Sequence, residues 1–366
     1  MADRPRKLII HAGMHKTGST AIQHWLNKKK QPAAHYFEWR NPNHSILFVL
    51  LFQENPHTYF SIASDGYTLE QALKEREIEK EKIRKQVEES DKELFIFSAE
   101  RISSAPDDAV EAMHAFFSEL FDDIQVYAYV RKPSGFMTSM FQQHLKTGKI
   151  KLHFGKLWPD YRRRFERLVR IFGDENVHLR SFDKLAETKT EVVSDFADWI
   201  GLQGAPKREI LRNKSMTATG MSLLYFYRKK IEPEVPPENK KDYNERVLDA
   251  VQKLPGEKFQ IVLDPGKRLR KKFVLDLDWI SGRLGEDFND IGAVRDDRLV
   301  FRNDAEILKY ATSMSHFLLP EADAEELDPQ AWSSIRTTVD RFGVLLSDEF
   351  GGWAKLRRWW KAVRRA

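Results

Sequence analysis

Apolar residues come along this chain in short bursts, separated by longer stretches with helical spacing. Leu8-Ile9-Ile10 is the first burst, and it enters Gly13-Met14-His15-Lys16-Thr17-Gly18-Ser19-Thr20. From Ala21 to Lys30, Ile22, Trp25 and Leu26 share one helical face, so strand, glycine loop and helix open the chain. A polar and aromatic loop from Gln31 to His44 leads into an apolar helix, Ser45 to Phe52. Thr68 to Ser90 is highly charged, with Leu69, Leu73, Ile83 and Val87 at loosely helical spacing, and reads as an exposed connecting helix. Further buried strands are expected at Glu93 to Phe97, Ile124 to Val130 and Val177 to Ser181. Helices are expected at Asp107 to Phe121, Ser134 to Lys146, Pro159 to Phe172 and Thr190 to Ile200, the last ended by Gly201. Strands separated by helix-length segments predict an α/β chain, a central parallel sheet with helices on both faces. Beyond about residue 215 the pattern is mainly helical, broken by the proline-bearing stretch Glu232 to Asn239.

Composition narrows the picture without changing it. The 366 residues are 41% hydrophobic and 31% charged, which suits a globular chain with a sizeable core. With no cysteine, a disulfide framework, a thiolate nucleophile and a cysteine-ligated metal are excluded. The formal charge of +5 is small for this length and makes nucleic acid an unexpected partner, since basic residues cluster only at the C-terminus. No stretch approaches the roughly 20 apolar residues of a membrane span, and the apolar run near Leu8 is too short for a signal-peptide core. A cytoplasmic protein is expected.

The glycine loop carries the first chemical signal. Gly13-x-x-x-x-Gly18-Ser19-Thr20 is close to the phosphate-binding pattern G-x-x-x-x-G-K-[ST], with the lysine displaced to Lys16 at the apex. Glycines let backbone N–H groups turn inward, a helix N-terminus adds partial positive charge, and Ser19 and Thr20 carry hydroxyls. Such a loop holds a phosphate-like oxyanion. A nucleoside triphosphatase also wants an acid at the tip of a neighbouring strand for Mg²⁺. The strands here end in Ser98-Ala99-Glu100 and Val130-Arg131, with no aspartate at either tip. The second signal is Arg131-Lys132-Pro133-Ser134, placing an arginine at the carboxyl end of a parallel strand, where such sheets bind ligands. Ser139 lies further along the following helix, where it can share an anion with Arg131.

His15-Lys16-Thr17-Gly18-Ser19-Thr20 resembles the loop that binds the 5′-phosphosulfate in sulfotransferases. Arg131 with Ser139 is similar to that superfamily's 3′-phosphate site. The resemblance extends through Val177 to Phe182, Trp199-Ile200-Gly201-Leu202 and Arg212-Asn213-Lys214-Ser215, covering about residues 6 to 220. It implies a three-layer P-loop-like fold of bacterial carbohydrate-type sulfotransferases, organised as a domain over 1–295 with a helical C-terminal extension over 296–366. It implies 3′-phosphoadenosine 5′-phosphosulfate (PAPS) as donor without a metal, and a hydroxyl acceptor, foremost on a saccharide. The implied donor-binding residues are His15, Lys16, Thr17, Gly18, Ser19, Thr20, Arg131, Ser139 and Lys214. Lys16 would neutralise charge on the leaving nucleotide. Two residues qualify as general base: Glu100, in a Ser-x-Glu like that of bacterial relatives, and His44, in a loop resembling their acceptor side. Glu100 could instead pair with Arg101 or Arg131, and His44 could cap the helix after it. Trp39, His153, Phe154 and Trp158 suit sugar stacking or a core equally.

The C-terminal residues 353–366 carry six basic side chains, three tryptophans and no acid. They read as an interfacial helix on anionic lipid at the inner membrane face, as a contact for an anionic glycan, or as a terminal helix packed on the body. Two other functions compete with sulfuryl transfer: a P-loop kinase using Mg²⁺-ATP, and a non-catalytic nucleotide- or glycan-binding protein at a membrane surface.

Overall fold

The structure is a computed structural model that describes residues 5–28, 32–148, 150, 153–204, 215–234, 237, 240–262 and 265–318. These divide into two compact units, the first formed by residues 1–136, 159–213 and 266–290 and the second by the remaining segments.

The first unit is built on five parallel strands: β1 (Lys7–His11), β2 (Ala34–Tyr36), β3 (Leu94–Ser98), β4 (Asp123–Val130) and β5 (Val177–Ser181), in the order β2-β3-β1-β4-β5. The order follows from burial. Leu8, Ile9, Ile10, Phe95, Ile96 and Phe97 are all 1% exposed or less, so β1 and β3 must lie inside the sheet with both faces covered. Register then decides which residues meet: Ile9 opposite Ile96, Ile10 opposite Phe97, and His11 opposite Ser98 and Tyr127. Successive side chains alternate between faces. Ile9, Ile96 and Tyr129 face the helices Ser19–Lys28 and Val192–Trp199, packing with Trp25, Phe196 and Ala197. Phe95 and Phe97 point the other way, into an aromatic cluster with Phe37, Phe117 and Phe121 at ring separations of 5.1 to 6.4 Å. Truncating a buried phenylalanine such as Phe117 would cost about 3–5 kcal/mol.

The alternating architecture is the expected one, and β1, β3, β4 and β5 fall within a residue or so of their expected places. The segment Gln31 to His44 holds β2, which the pattern misses because three residues, Ala-His-Tyr, carry no readable period. Helices start and stop a few residues from the expected positions, as at Ser19–Lys28 and Asp107–Ser118.

The second unit contains the helices Ala218–Phe226, Lys240–Gln252 and Asp304–Leu318, with a parallel pair of short strands, β6 (Phe259–Ile261) and β7 (Leu299–Phe301). The pair was not expected from sequence, again because each strand is three residues long. Lys214 and the tail 353–366 lie outside the described residues. Among the described residues no helix is long and apolar enough to cross a membrane.

Candidate active site

β1 ends at His11, and the chain turns into the helix at Ser19 through a loop tied to the neighbouring strand. Ala12 and Met14 donate backbone N–H groups to the carbonyls of Tyr127 and Tyr129, each at 2.9 Å, and Tyr129 donates back to Gly13 O at 2.8 Å. Two glycines are needed for steric reasons. Gly13 has φ +91°, and a Cβ there would sit 3.0 Å from Glu100 Cα. Gly18 has φ +81°, and its Cβ would sit 2.7 Å from Val192 Cγ1. Between them Lys16, at the apex, holds a left-handed φ of 71°, which an L-residue adopts only when its surroundings impose it. Arg131 supplies part of that constraint, donating from Nη1 to Lys16 O at 3.1 Å.

The donors left over define what the loop can hold. The backbone amides of Thr17, Gly18, Ser19 and Thr20 find no acceptor in the chain among the described residues, as expected at a helix N-terminus. The hydroxyls behave differently from the amides. Thr17 is fully buried and its Oγ1 donates to Met14 O at 2.6 Å, so its hydroxyl braces the loop and only its amide is open. Ser19 is also buried, with a weak 3.3 Å contact from Oγ to the same carbonyl, and Thr20 is exposed. Four open amides, a lysine at the apex and a glycine-lined backbone fit a phosphate-like oxyanion.

Arg131 stands just beyond the tip of β4. Its guanidinium lies 5.6 Å from the Phe182 ring centroid, and Gly135 gives it room, since a Cβ there would lie 2.9 Å from Arg131 Nε. The backbone around it is fixed by Tyr161, whose hydroxyl donates to Arg131 O at 2.5 Å, and by Asp183, which accepts from Lys132 N at 2.6 Å. Ser139 lies half-buried in the helix Pro133–Lys146, which begins one residue before its expected start.

Glu100 follows β3 and comes to the loop from its other side. Burial raises its carboxyl above the ordinary glutamate range, opposed by the charge of Lys16 and a hydrogen bond from Asn43. His15 Nε2 lies 4.0 Å from Glu100 Oε1. Burial, and then the charges of Arg164, Arg101 and Lys16, bring the His15 pKa down to about 4, so at neutral pH its imidazole is uncharged.

His44 stands at the N-cap position of the helix Ser45–Phe52, as one reading of the sequence had it, but its side chain is engaged elsewhere. It is fully buried, and its Nδ1 accepts from Ser98 N at 3.2 Å. Its Nε2 must therefore carry the hydrogen, which it donates to Phe37 O at 3.0 Å. Burial brings its pKa down to about 3. With both nitrogens committed it has none to offer an acceptor, and its side chain makes no capping bond to the helix Ser45–Phe52. It ties β3 to the Phe37 segment while stacking 4.6 Å from Tyr36.

Sequence reasoning missed Asn43, Arg101 and Arg164 as members of this site. Arg101 adjoins Glu100 and was considered only as its partner. Arg164 is one of three consecutive arginines, and only packing separates it from Arg162 and Arg163. Of the aromatic residues suggested for sugar stacking, Trp158 is 4% exposed and belongs to a core, while Trp39 is half-buried with the Arg40 guanidinium 4.8 Å from its ring.

Comparison with known proteins was made by sequence and by structure. No protein-family model and no curated protein matches the chain. The structural likenesses found are to sulfotransferases. A sulfotransferase from Alicyclobacillus acidocaldarius is 13% identical, with a TM-score of 0.40, over 78% of this chain and 98% of its own. The sulfotransferase domain of the curacin biosynthetic pathway is 12% identical, with a TM-score of 0.34, over 56% of this chain and 76% of its own. That of the Synechococcus PCC 7002 olefin synthase is also 12% identical at 0.34, over 67% and 94%. At such identities and scores, this chain's own residues have to carry any functional reading.

Proposed function

We propose that this chain is a sulfotransferase that takes PAPS as donor and a hydroxyl compound, foremost a saccharide, as acceptor, without a metal. One observation carries the reading. A loop with four open amides and Lys16 at its apex is joined through Lys16 O to Arg131, and Glu100 stands on its other side. The loop amides and Lys16 would hold the phosphosulfate. Arg131 would hold the 3′-phosphate, with Ser139 and Lys214 as further proposed partners. Bound there, PAPS supplies an activated sulfuryl group.

The protein's own contribution is positioning and electrostatics. Lys16 brings a full positive charge to the anion cradle, and the Arg131 contact to its carbonyl keeps the apex in place. Glu100 is the proposed general base, receiving the acceptor hydroxyl proton on its carboxylate. A carboxyl raised by burial is a better proton acceptor than a solvated one. The helical extension over 296–366 and a cytoplasmic place, with the tail at the inner membrane face, belong to the same proposal.

Calorimetric titration with adenosine 3′,5′-bisphosphate, against Mg²⁺-ATP, tests the donor. Metal-independent binding that weakens in both Lys16→Ala and Arg131→Ala is the expected result. A preference for Mg²⁺-ATP, or indifference to Arg131, would replace the reading with that of a kinase.

A further inference from the structure

The donor cradle accounts for Lys16 and Arg131, but the same end of the sheet holds two more guanidinium groups, those of Arg101 and Arg164. Arg101 follows Glu100 directly. Its backbone N–H donates to Ser45 Oγ at 3.2 Å, and its guanidinium lies 5.6 Å from the Tyr59 ring centroid. Arg164 sits on the helix Tyr161–Phe172, which packs against the turn at Ile102–Ser104 that follows Arg101. Its Nε donates to Pro159 O, and its guanidinium lies 5.8 Å from the Phe136 ring centroid.

Neither guanidinium makes an ion pair within 4.0 Å among the described residues, although the charge of Asp160 bears on Arg164. Asp160 is bound by Arg163 at 2.6 Å, with Lys272 at 3.8 Å. Asp107 is bound by Arg170 at 2.6 Å, with Arg167 at 3.7 Å. Nε of Arg101 and Nη1 of Arg164 are buried N–H donors with no acceptor among the described residues. Burial is severe enough to lower the Arg164 pKa to about 10. Arg101 adjoins Glu100, and the helix of Arg164 packs on the turn just after it, which brings both to the Glu100 side of the cradle; both charges also bear on His15, 4.0 Å from Glu100. A buried guanidinium N–H that has no acceptor is costly unless an anion completes it.

We propose that the acceptor is anionic, a hydroxyl compound bearing a carboxylate or similar group, and that Arg101 and Arg164 bind this group beside Glu100. The inference rests on the sulfotransferase reading of the same site and adds the charge of its substrate. Arginine suits the task because its fork of N–H donors matches a planar carboxylate.

The test uses two matched pairs of probes that differ only in the charged group. They are 4-nitrophenyl glucuronide against 4-nitrophenyl glucoside, and 4-hydroxyphenylacetate against 4-hydroxyphenylethanol. Each is titrated into the full chain saturated with adenosine 3′,5′-bisphosphate. The expected result is tighter binding of the carboxylate member of at least one pair, by about tenfold, the scale of a charge-assisted contact in a partly buried site. That preference should fall in Arg101→Gln and Arg164→Gln and persist in Arg164→Lys, while bisphosphate binding stays at the wild-type level. Equal or absent binding of both members in both pairs overturns the inference, as does a preference unchanged in Arg101→Gln and Arg164→Gln. Loss of bisphosphate binding in folded Arg101→Gln would also overturn it, by assigning the guanidiniums to the donor. Failure of wild type to bind the bisphosphate at all strikes the sulfotransferase reading instead, and the probe pairs titrated without nucleotide still decide whether the cluster takes an anion.

Discussion

Two groups of polar side chains lie within a few residues of each other at the carboxyl end of the sheet, and they do opposite things. Behind the loop, His11, Ser98, Gln23 and His44 bond to one another and to the backbone. His11 Nδ1 meets Ser98 Oγ at 2.8 Å, Gln23 Nε2 donates to the same oxygen at 3.2 Å, and His44 joins Ser98 N to Phe37 O. His11 Nε2 has no partner among the described residues, and the His11 and Phe196 ring centroids lie 5.0 Å apart. In front, open amides and cations face a single carboxylate, Glu100. The dry group spends its hydrogen bonds on holding β1, β3 and the Phe37 segment together. The front group leaves the amides of Thr17, Gly18, Ser19 and Thr20 open among the described residues. What separates structure from function here is whether the donors are spent, since both groups contain a histidine.

The most direct way to break this comparison is to remove a charge from the front group. Lys16→Ala should lower sulfuryl-transfer turnover by about 10²–10³, the scale of losing one preorganised electrostatic contact, with thermal stability little changed. Arg131→Ala should weaken bisphosphate binding and also loosen the loop apex, because the guanidinium bonds Lys16 O. Steady-state kinetics and calorimetry on the two variants separate these effects. Equal turnover in Lys16→Ala and wild type would remove the loop from the chemistry.

Glu100 comes next. Glu100→Gln should cost about 10²-fold in turnover, within the range for general-base removal, and leave nucleotide affinity intact. Because burial outweighs Lys16 and Asn43, its folded pKa lies above the ordinary 4.5. The rate should therefore rise with pH along a limb placed above that value, as the carboxylate loses its proton. Asn43→Leu removes a hydrogen bond that favours the charged form, so the limb should move to still higher pH. A pH–rate profile that is flat, or that does not move in Asn43→Leu, would take the base role from Glu100.

How far the site could be read in the sequence follows the same division. Lys16, Arg131 and Glu100 were legible because each stands in or just after a strand-end segment, and a short apolar run marks the strand. His44 was misread because its partners, Phe37 O and Ser98 N, are brought to it by folding, the latter from 54 residues away. A histidine before a helix looks the same whether it is a base, a cap or a buried strut. Arg164 was invisible for a similar reason. Arg162 bonds Glu166 and Arg163 bonds Asp160 in exposed pairs, and only the packing of their helix turns the third arginine inward. Strands β2, β6 and β7 failed on length alone.

Acid tests the dry group. His11 and His44 both have folded pKa values brought down to about 3 by burial, against 6.5 for the free side chain. The unfolded chain thus binds more protons than the folded one between those values. Their contribution to stability is complete above about pH 6.5 and is lost as pH falls toward 3, by up to about 1.4 kcal/mol per pH unit for each histidine. Denaturant titrations at pH 7 and pH 5 should show the loss, and His44→Ala should flatten it while costing about 2–4 kcal/mol at pH 7 through its cavity and two unmade bonds. An unchanged slope in that variant would mean that His44 is not held neutral by the fold.

The smallest effect expected is also the one that joins the two groups. Gly13 runs against the start of the Glu100 segment, and Gly13→Ala would place a Cβ 3.0 Å from Glu100 Cα and Cβ at a backbone angle that L-residues avoid. A stability loss of about 1–3 kcal/mol follows from the strain. The displacement should also be felt in catalysis, because the loop and Glu100 would have to move apart together. Gly18→Ala offers the contrast: its Cβ would strike Val192 Cγ1 at 2.7 Å, a contact with the helix Val192–Trp199 rather than with Glu100. If strain alone matters, the two variants lose turnover in proportion to stability. If Gly13 sets the spacing between cradle and base, Gly13→Ala loses more turnover than Gly18→Ala at equal stability, and its pH–rate limb shifts while that of Gly18→Ala stays in place.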